Sequence, residues 1–157
     1  MIVLFEVLFI LLFVLALIHG IRRYSAKRVL LAFTIIAVMV AVEENASMLL
    51  TRDYAYYGYY LWIGEFPVCI MLGWIAVAYL GFLIASRVNN VVIGAAAAAS
   101  VDLILEPVAY FFGLWVWHNT VSVPLYFGSP IQNAAGWFFL TWIGVLILKK
   151  LVTVKAT

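Results

Sequence analysis

Five apolar stretches, roughly 2–20, 29–50, 59–86, 91–113 and 135–154, make up most of this chain. Each is long enough, or nearly so, to cross a hydrocarbon layer of about 30 Å, which takes roughly 20 helical residues. Backbone polar groups in lipid must be satisfied internally, so such stretches fold as helices. The composition agrees. Of 157 residues, 68% are hydrophobic and 10% charged, where a soluble domain is about a quarter charged. The expectation is an all-α, polytopic membrane protein: one transmembrane helical domain over residues 1–157, with the lipid bilayer as its first partner. It sits in the cell membrane as a multi-pass protein, and its oligomeric state is left open. The third stretch contains Gly64-Glu65-Phe66-Pro67. It is either one long helix kinked near Pro67 or a short outer piece followed by a span from Val68. The first stretch has no basic flank before it, carries Glu6 and lacks a small-x-small cleavage pattern. It reads as a membrane anchor rather than a signal peptide.

The charges set an orientation. Arg22, Arg23, Lys27 and Arg28 lie between helices 1 and 2, Arg87 between helices 3 and 4, and Lys149, Lys150 and Lys155 at the end of helix 5. With five helices, eight of the nine basic residues fall on one side, and only Arg52 lies opposite. Basic residues favour the cytoplasmic side, so the N-terminus is expected outside and the C-terminus in the cytoplasm. A net charge of +2, carried by few residues at helix ends, gives no nucleic-acid footprint.

The acids show the reverse bias. At 1.5 Å per residue, Asp102 lies about 16 Å into helix 4 from the cytoplasmic end, Glu106 about 6 Å beyond it, and Glu43 about 21 Å up helix 2. Glu65 stands near the outer end of helix 3, and His118-Asn119 lie in the connection above. Carboxylates in lipid face inward, pair or carry a proton. One pocket between helices 2, 3 and 4, in the outer half of the bilayer, satisfies all of them. Asp102 and Glu106 are four apart and share a helix face. Gly94 and Ala98 continue that stripe downward and permit close helix packing. Pro107 leaves the Leu103 carbonyl without its helical donor, so a bend is expected at the carboxylate level.

Asp102 and Glu106 read either as structural acids, bonded to Asn45, Ser47 or tryptophan N–H groups, or as a proton-handling pair. Burial and a like-charged neighbour both favour the neutral carboxyl, and such a group can deliver a proton. Glu43-Glu44-Asn45 is a second acid cluster. Adjacent helical residues point about 100° apart, so one glutamate faces the pocket and the other a neighbouring helix. Glu65 could simply be solvated.

Other chemistries find little support. Cys69 is the one cysteine, which excludes an internal disulfide and multi-cysteine metal sites. It reads as a small buried residue. The two histidines, His19 and His118, are not spaced as ligands, and no Asp-rich repeat is present to hold magnesium. No nucleophile elbow or Cys–His pair occurs. Asn45-Ala46-Ser47 is formally a glycosylation sequon but lies inside helix 2. There is no internal repeat or linker. Aromatics are dense: Tyr54, Tyr56, Tyr57, Tyr59, Tyr60 and Trp62 at the outer end of helix 3, then Trp115, Trp117, Tyr126 and Trp137 in the later connection. An interfacial belt explains some of them. Others can line a slot for a flat polyene and stabilise a carbocation.

The order Asp102, Glu106-Pro107, Trp115-x-Trp117, Tyr126-Phe127-Gly128-Ser129-Pro130, Asn133, Gly136-Trp137 resembles the carotenoid biosynthesis membrane-protein family, which includes the bacterioruberin-pathway and carotenoid 1′,2′-hydratases. Upstream, Glu43 or Glu44, Gly58-Tyr59-x-x-Trp62, Pro67 and Gly73-Trp74 fit more loosely. The resemblance covers about residues 43 to 140. Family members are longer, carry a single acid where this chain has Glu43-Glu44, and usually have valine in place of Ser129.

The resemblance implies addition of water to a terminal double bond of an acyclic isoprenoid or carotenoid, with no redox cofactor or metal required. Asp102 and Glu106, with Glu43 or Glu44, are then the candidate acid–base groups. Glu65, Tyr59, Trp62, Trp115, Trp117, His118, Tyr126, Asn133 and Trp137 are the candidate substrate-binding residues. Two other functions compete: an isoprenoid end-group cyclase working through the same cation, and a non-catalytic membrane carrier for a hydrophobic ligand. A proton pathway is weaker, because no basic residue lies within the spans to alternate with the acids.

Overall fold

The computed structural model describes residues 1–152, so Lys155 lies outside the described residues. Its helices are α1 (Ile2–Arg23), α2 (Ala26–Thr51), α3 (Val68–Val88), α4 (Val91–Ala99), α5 (Asp102–Phe112) and α6 (Ile131–Val152). Counting α4 and α5 together as Val91–Phe112, five spans among the described residues are long and apolar enough to cross a membrane. Six short strands fill the connections: β1 (Tyr54–Tyr56), β2 (Trp62–Ile63), β3 (Phe66–Pro67), β4 (Trp115–Trp117), β5 (Pro124–Tyr126) and β6 (Ser129–Pro130).

Of the two readings of the third stretch, the short outer piece is the one found. Pro67 stands at the N-cap of α3 with φ −72, where its missing N–H costs nothing. Before it, Gly58 (φ +76) and Gly64 (φ +65) turn the chain back on itself, and β2 pairs with β3 in a hairpin. The tyrosines from Tyr54 to Tyr60 are therefore not on a helix. The α6 helix starts at Ile131, four residues earlier than expected, which puts Asn133 in its first turn.

The fourth span also differs. Its break falls at Ser100-Val101, one residue before Asp102, and not at Pro107. Ser100 Oγ donates back to the Ala97 carbonyl at 2.7 Å. The N–H groups of Val101 and Leu103 bond to the Ala98 and Ser100 carbonyls, tightening the chain to a three-residue turn. Pro107 stays inside α5. The carbonyl it deprives, that of Leu103, instead accepts the Tyr126 hydroxyl at 3.0 Å, so the helix continues past the proline.

The bundle centres on α3, which packs against α1, α4 and α6. Its seam is built of small residues: a Cβ on Gly94 would lie 2.5 Å from Ala85 Cβ and 2.5 Å from the Gly81 carbonyl oxygen, and one on Gly81 would lie 3.2 Å from Ala98 Cβ. Backbones this close leave no room for a methyl group. Gly94→Ala is expected to force α3 and α4 apart and cost about 1–3 kcal/mol. Thermal unfolding in detergent checks it, and an unchanged midpoint would show the seam to be slack.

The α2–α3 and α5–α6 connections meet at the end of the bundle that carries the acids. β1 pairs antiparallel with β4, with Tyr54 opposite Trp117 and Tyr56 opposite Trp115. Asp53 locks the join. Its carbonyl accepts from the N–H groups of His118 (2.6 Å) and Asn119 (3.0 Å), and its Oδ1 from Val121 N–H (2.8 Å) and Thr120 Oγ1 (2.9 Å). Burial pushes this carboxyl up, but bonds from Val121, Ser122 and Thr120 outweigh it and hold it below its ordinary 3.8. A lowered folded-state value means the carboxylate's stabilisation is complete above about 3.8 and lost as pH falls toward the folded value. Below about pH 4 the parent's unfolding temperature is expected to fall more steeply than that of Asp53→Asn, which lacks the group. Parallel slopes would count against this role.

Candidate functional site

The β1–β4 ribbon roofs a cavity of about 260 Å³ walled by α2, α3, α5 and α6. Alternation puts Tyr54 and Tyr56 on one face of β1 and Trp115 and Trp117 on one face of β4. These four side chains point into the cavity and divide between two carboxylates. Glu44 Oε2 accepts the hydroxyls of Tyr54 (2.8 Å) and Tyr56 (3.3 Å), and its Oε1 accepts Trp74 Nε1–H at 3.0 Å. Glu106 Oε2 accepts the indole N–H groups of Trp117 (2.9 Å) and Trp115 (3.3 Å). Burial first, and the Glu44 carboxyl next, push the Tyr54 and Tyr56 phenols well above their ordinary 10.0, so both remain O–H donors.

Asp102 and Glu106 converge on one amide. Asn133 Nδ2 lies 2.8 Å from Glu106 Oε1, 3.1 Å from Asp102 Oδ2 and 3.0 Å from Ser129 Oγ. An amide nitrogen has two hydrogens, which these three acceptors share, and Ser129 also bonds Glu106. Both acids are buried, at 5% and 2% exposure, and Asp102 Oδ1 has no partner among the described residues. Glu106 lines the cavity, whereas Asp102 sits behind it. A slab of two indoles forms a further wall: Trp74 and Trp137 stack with centroids 3.9 Å apart and planes 24° from parallel. Phe9, Ile70 and Leu140 add apolar lining. A pair of coupled carboxyls, a third carboxylate held by O–H and N–H donors, and aromatic walls can together protonate an alkene, shelter a cation and orient water. Among the described residues no three of His, Cys, Asp and Glu stand close enough to hold a metal ion.

The candidates named from sequence divide into two groups. Glu43, Glu44, Glu106, Trp115, Trp117, Asn133 and Trp137 line the cavity, and Asp102 touches it through Asn133. Glu43 and Glu44 both face it, so the expected division of the two between pocket and neighbouring helix is corrected. The space is wide enough to accept side chains 100° apart. The other candidates lie outside the lining. Glu65 is exposed, with its N–H donating to Asn45 Oδ1 at 2.8 Å. Trp62 is exposed on β2 and donates to the Tyr59 carbonyl. Tyr59 is buried in the core with Phe5. His118 is exposed, 3.5 Å from the Tyr57 hydroxyl. Tyr126 serves Leu103 from the surface. The expected walls, helices 2, 3 and 4, are joined by α6 and the ribbon.

Sequence reasoning missed Tyr54, Tyr56 and Trp74 as ligands of Glu44. The available signal was the matching period-two pattern of Tyr54-x-Tyr56 and Trp115-x-Trp117. Glu6, read only as an acid in an anchor helix, is buried and accepts the Tyr60 N–H at 2.9 Å, fastening α1 to the turn after β1.

Comparison with known proteins assigns the chain to a family. An 82-residue stretch, 52% of this chain, is 30% identical to bisanhydrobacterioruberin hydratase of Haloarcula japonica. That stretch spans only 27% of the relative. No solved structure matches significantly. The family model described as carotenoid biosynthesis protein matches residues 3–157, which includes every cavity-lining residue named above. On that match, this five-span membrane chain with its roofed acid cavity belongs to the carotenoid biosynthesis protein family.

Proposed function

We propose that the chain hydrates a terminal isopropylidene double bond of an acyclic carotenoid or related isoprenoid. The observation that carries this reading is the pair of buried carboxyls, Asp102 and Glu106, joined through one amide beside an apolar, aromatic cavity. The pair carries one proton, which passes from a carboxyl O–H to the less substituted alkene carbon. The π electrons form the new C–H bond, and a tertiary cation is left on the neighbouring carbon. The faces of Trp74 and Trp137 stabilise that cation. Water bonded to Glu44 attacks it and sheds its proton to the Glu44 carboxylate; Glu44 then releases that proton and the Asp102–Glu106 pair takes one up, which restores the starting state. The net change is addition of one water to give a tertiary alcohol. Asp102, which stays behind Glu106, is a positioning residue in this scheme.

Pigment analysis of a carotenoid-producing host, with and without the chain, tests the reading. A tertiary alcohol supports it. A cyclised end group would transfer the same cation to a cyclase, and carotenoid bound but unchanged would make the chain a carrier.

The proposed orientation puts the acid-bearing end outside the cell membrane and the basic end, with Arg22, Arg23, Arg87, Lys149 and Lys150, in the cytoplasm. Single cysteines placed at 24 and 121 in a Cys69-free chain are expected to label from opposite sides, the second from outside. Labelling of both from one side rules it out.

A further inference from the structure

The cavity, at about 260 Å³, is smaller than the roughly 300–1,000 Å³ of pockets that enclose drug-sized ligands. A long chain therefore cannot lie wholly inside it, and the open space beside Gly136 marks a place where it can leave. α2 and α6 come together near mid-bundle, where a Cβ on Gly144 would lie 3.8 Å from Ile36. Eight residues earlier on α6, a Cβ on Gly136 would meet nothing within 4 Å, although Gly136 lines the cavity. The other helical glycines, Gly20, Gly73, Gly81, Gly94 and Gly144, would each press a Cβ to 3.0 Å or closer on a neighbour. Those positions are glycine because the helices pack there. Gly136 has helical φ and no neighbour, and glycine within a helix is destabilising relative to alanine. No contact among the described residues accounts for it.

The rim of this opening is regular. Glu43, Ser47 and Thr51 follow at intervals of four along α2, and Gln132, Gly136 and Leu140 do the same along α6. All six line the cavity and none is fully buried. Both helices are long and apolar enough to cross a membrane, so an opening between their stripes leads to the bilayer.

We propose that this gap is a lateral portal. The end of an acyclic isoprenoid chain enters the cavity from the membrane, and the rest of the chain crosses Gly136 and stays in lipid. The nature of the chain rests on the hydratase reading, but the portal does not need turnover. The test compares the unmodified protein with Gly136→Phe and, from the opposite rim, Ser47→Phe. Two readouts are used: conversion of lycopene, a long substrate, against myrcene, a short one, and quenching of tryptophan fluorescence by lycopene. Gly136 has open space beside it, so Gly136→Phe is expected to fold, with its unfolding temperature as the check. Both variants are expected to lower lycopene conversion and binding by roughly tenfold to 200-fold, with myrcene conversion reduced far less. If the unmodified protein converts neither compound, the hydratase reading fails, and quenching alone decides. Loss of lycopene quenching in the variants supports the portal. Equal quenching by all three proteins, no quenching by any, or an equal fall for lycopene and myrcene overturns it.

Discussion

Glu106→Gln is expected to slow conversion of an acyclic carotenoid to its tertiary alcohol by about 10²–10⁴, the usual contribution of a general acid. Glu106 is the member of the acid pair that lines the cavity, and a glutamine there cannot give up a proton. The hydrogen bonds constrain what the replacement does. Trp115 and Trp117 can only donate, so the glutamine oxygen must take the place of Oε2 and accept both indoles. Its NH₂ then faces Asn133, which must turn its own oxygen inward and withdraw its nitrogen from Asp102. Leaving Asp102 without that donor in a buried site costs about 1–3 kcal/mol, too little to prevent folding. Asp102→Asn is expected to lower the rate by a similar factor, because the proton is held by the pair. The double variant should then be little slower than either single one, as happens when two groups act as a unit. Conversion in membranes, normalised to protein level, measures all three. Full activity in both single variants would make the pair structural and move the assignment to Glu43 or Glu44.

The spans were legible because hydropathy alone defines them, and the acids were legible because a carboxylate in an apolar helix is conspicuous at any position. The roof was not. Tyr54–Tyr56 and Trp115–Trp117 are three-residue strands whose pairing joins segments about sixty residues apart, and no local preference encodes such a pairing. In isolation their aromatics look like an interfacial belt. The break at Ser100 was hidden for a different reason. The alanine run before it is the best of helix formers, so local propensity argues for continuity. In the fold, α4 is held against α3 and α6 while α5 packs on β4, and the chain turns where Ser100 can bond back to Ala97. The partner of the carbonyl that Pro107 orphans was equally hidden: it is the hydroxyl of Tyr126, distant in the chain. Asn133 was indicated only by the resemblance. Its placement needs α6 to start at Ile131 and Ser129 to close the β5–β6 turn beside it.

The second large effect is expected at Glu44, and there activity and stability should separate. Glu44 is 4% exposed and accepts three donors: Trp74 Nε1–H and the hydroxyls of Tyr54 and Tyr56. In Glu44→Gln the amide oxygen can keep the indole, which has no other option, while the NH₂ turns to the tyrosines. A phenol can accept as well as donate, so every buried group keeps a partner and folding should be unchanged. The proton shed by attacking water, however, loses its acceptor, and conversion is expected to fall by about 10²–10⁴. Glu44→Ala should differ. It strands the same donors in a buried site at about 1–3 kcal/mol for each one left unsatisfied, so it loses stability as well as activity. Thermal unfolding in detergent and carotenoid conversion in membranes, measured on both variants, separate the two roles. If Glu44→Gln converts substrate at the unmodified rate while Glu44→Ala unfolds early, Glu44 only anchors the ribbon. The water-orienting role then passes to Glu43, the remaining acid that a helix contributes to the cavity wall.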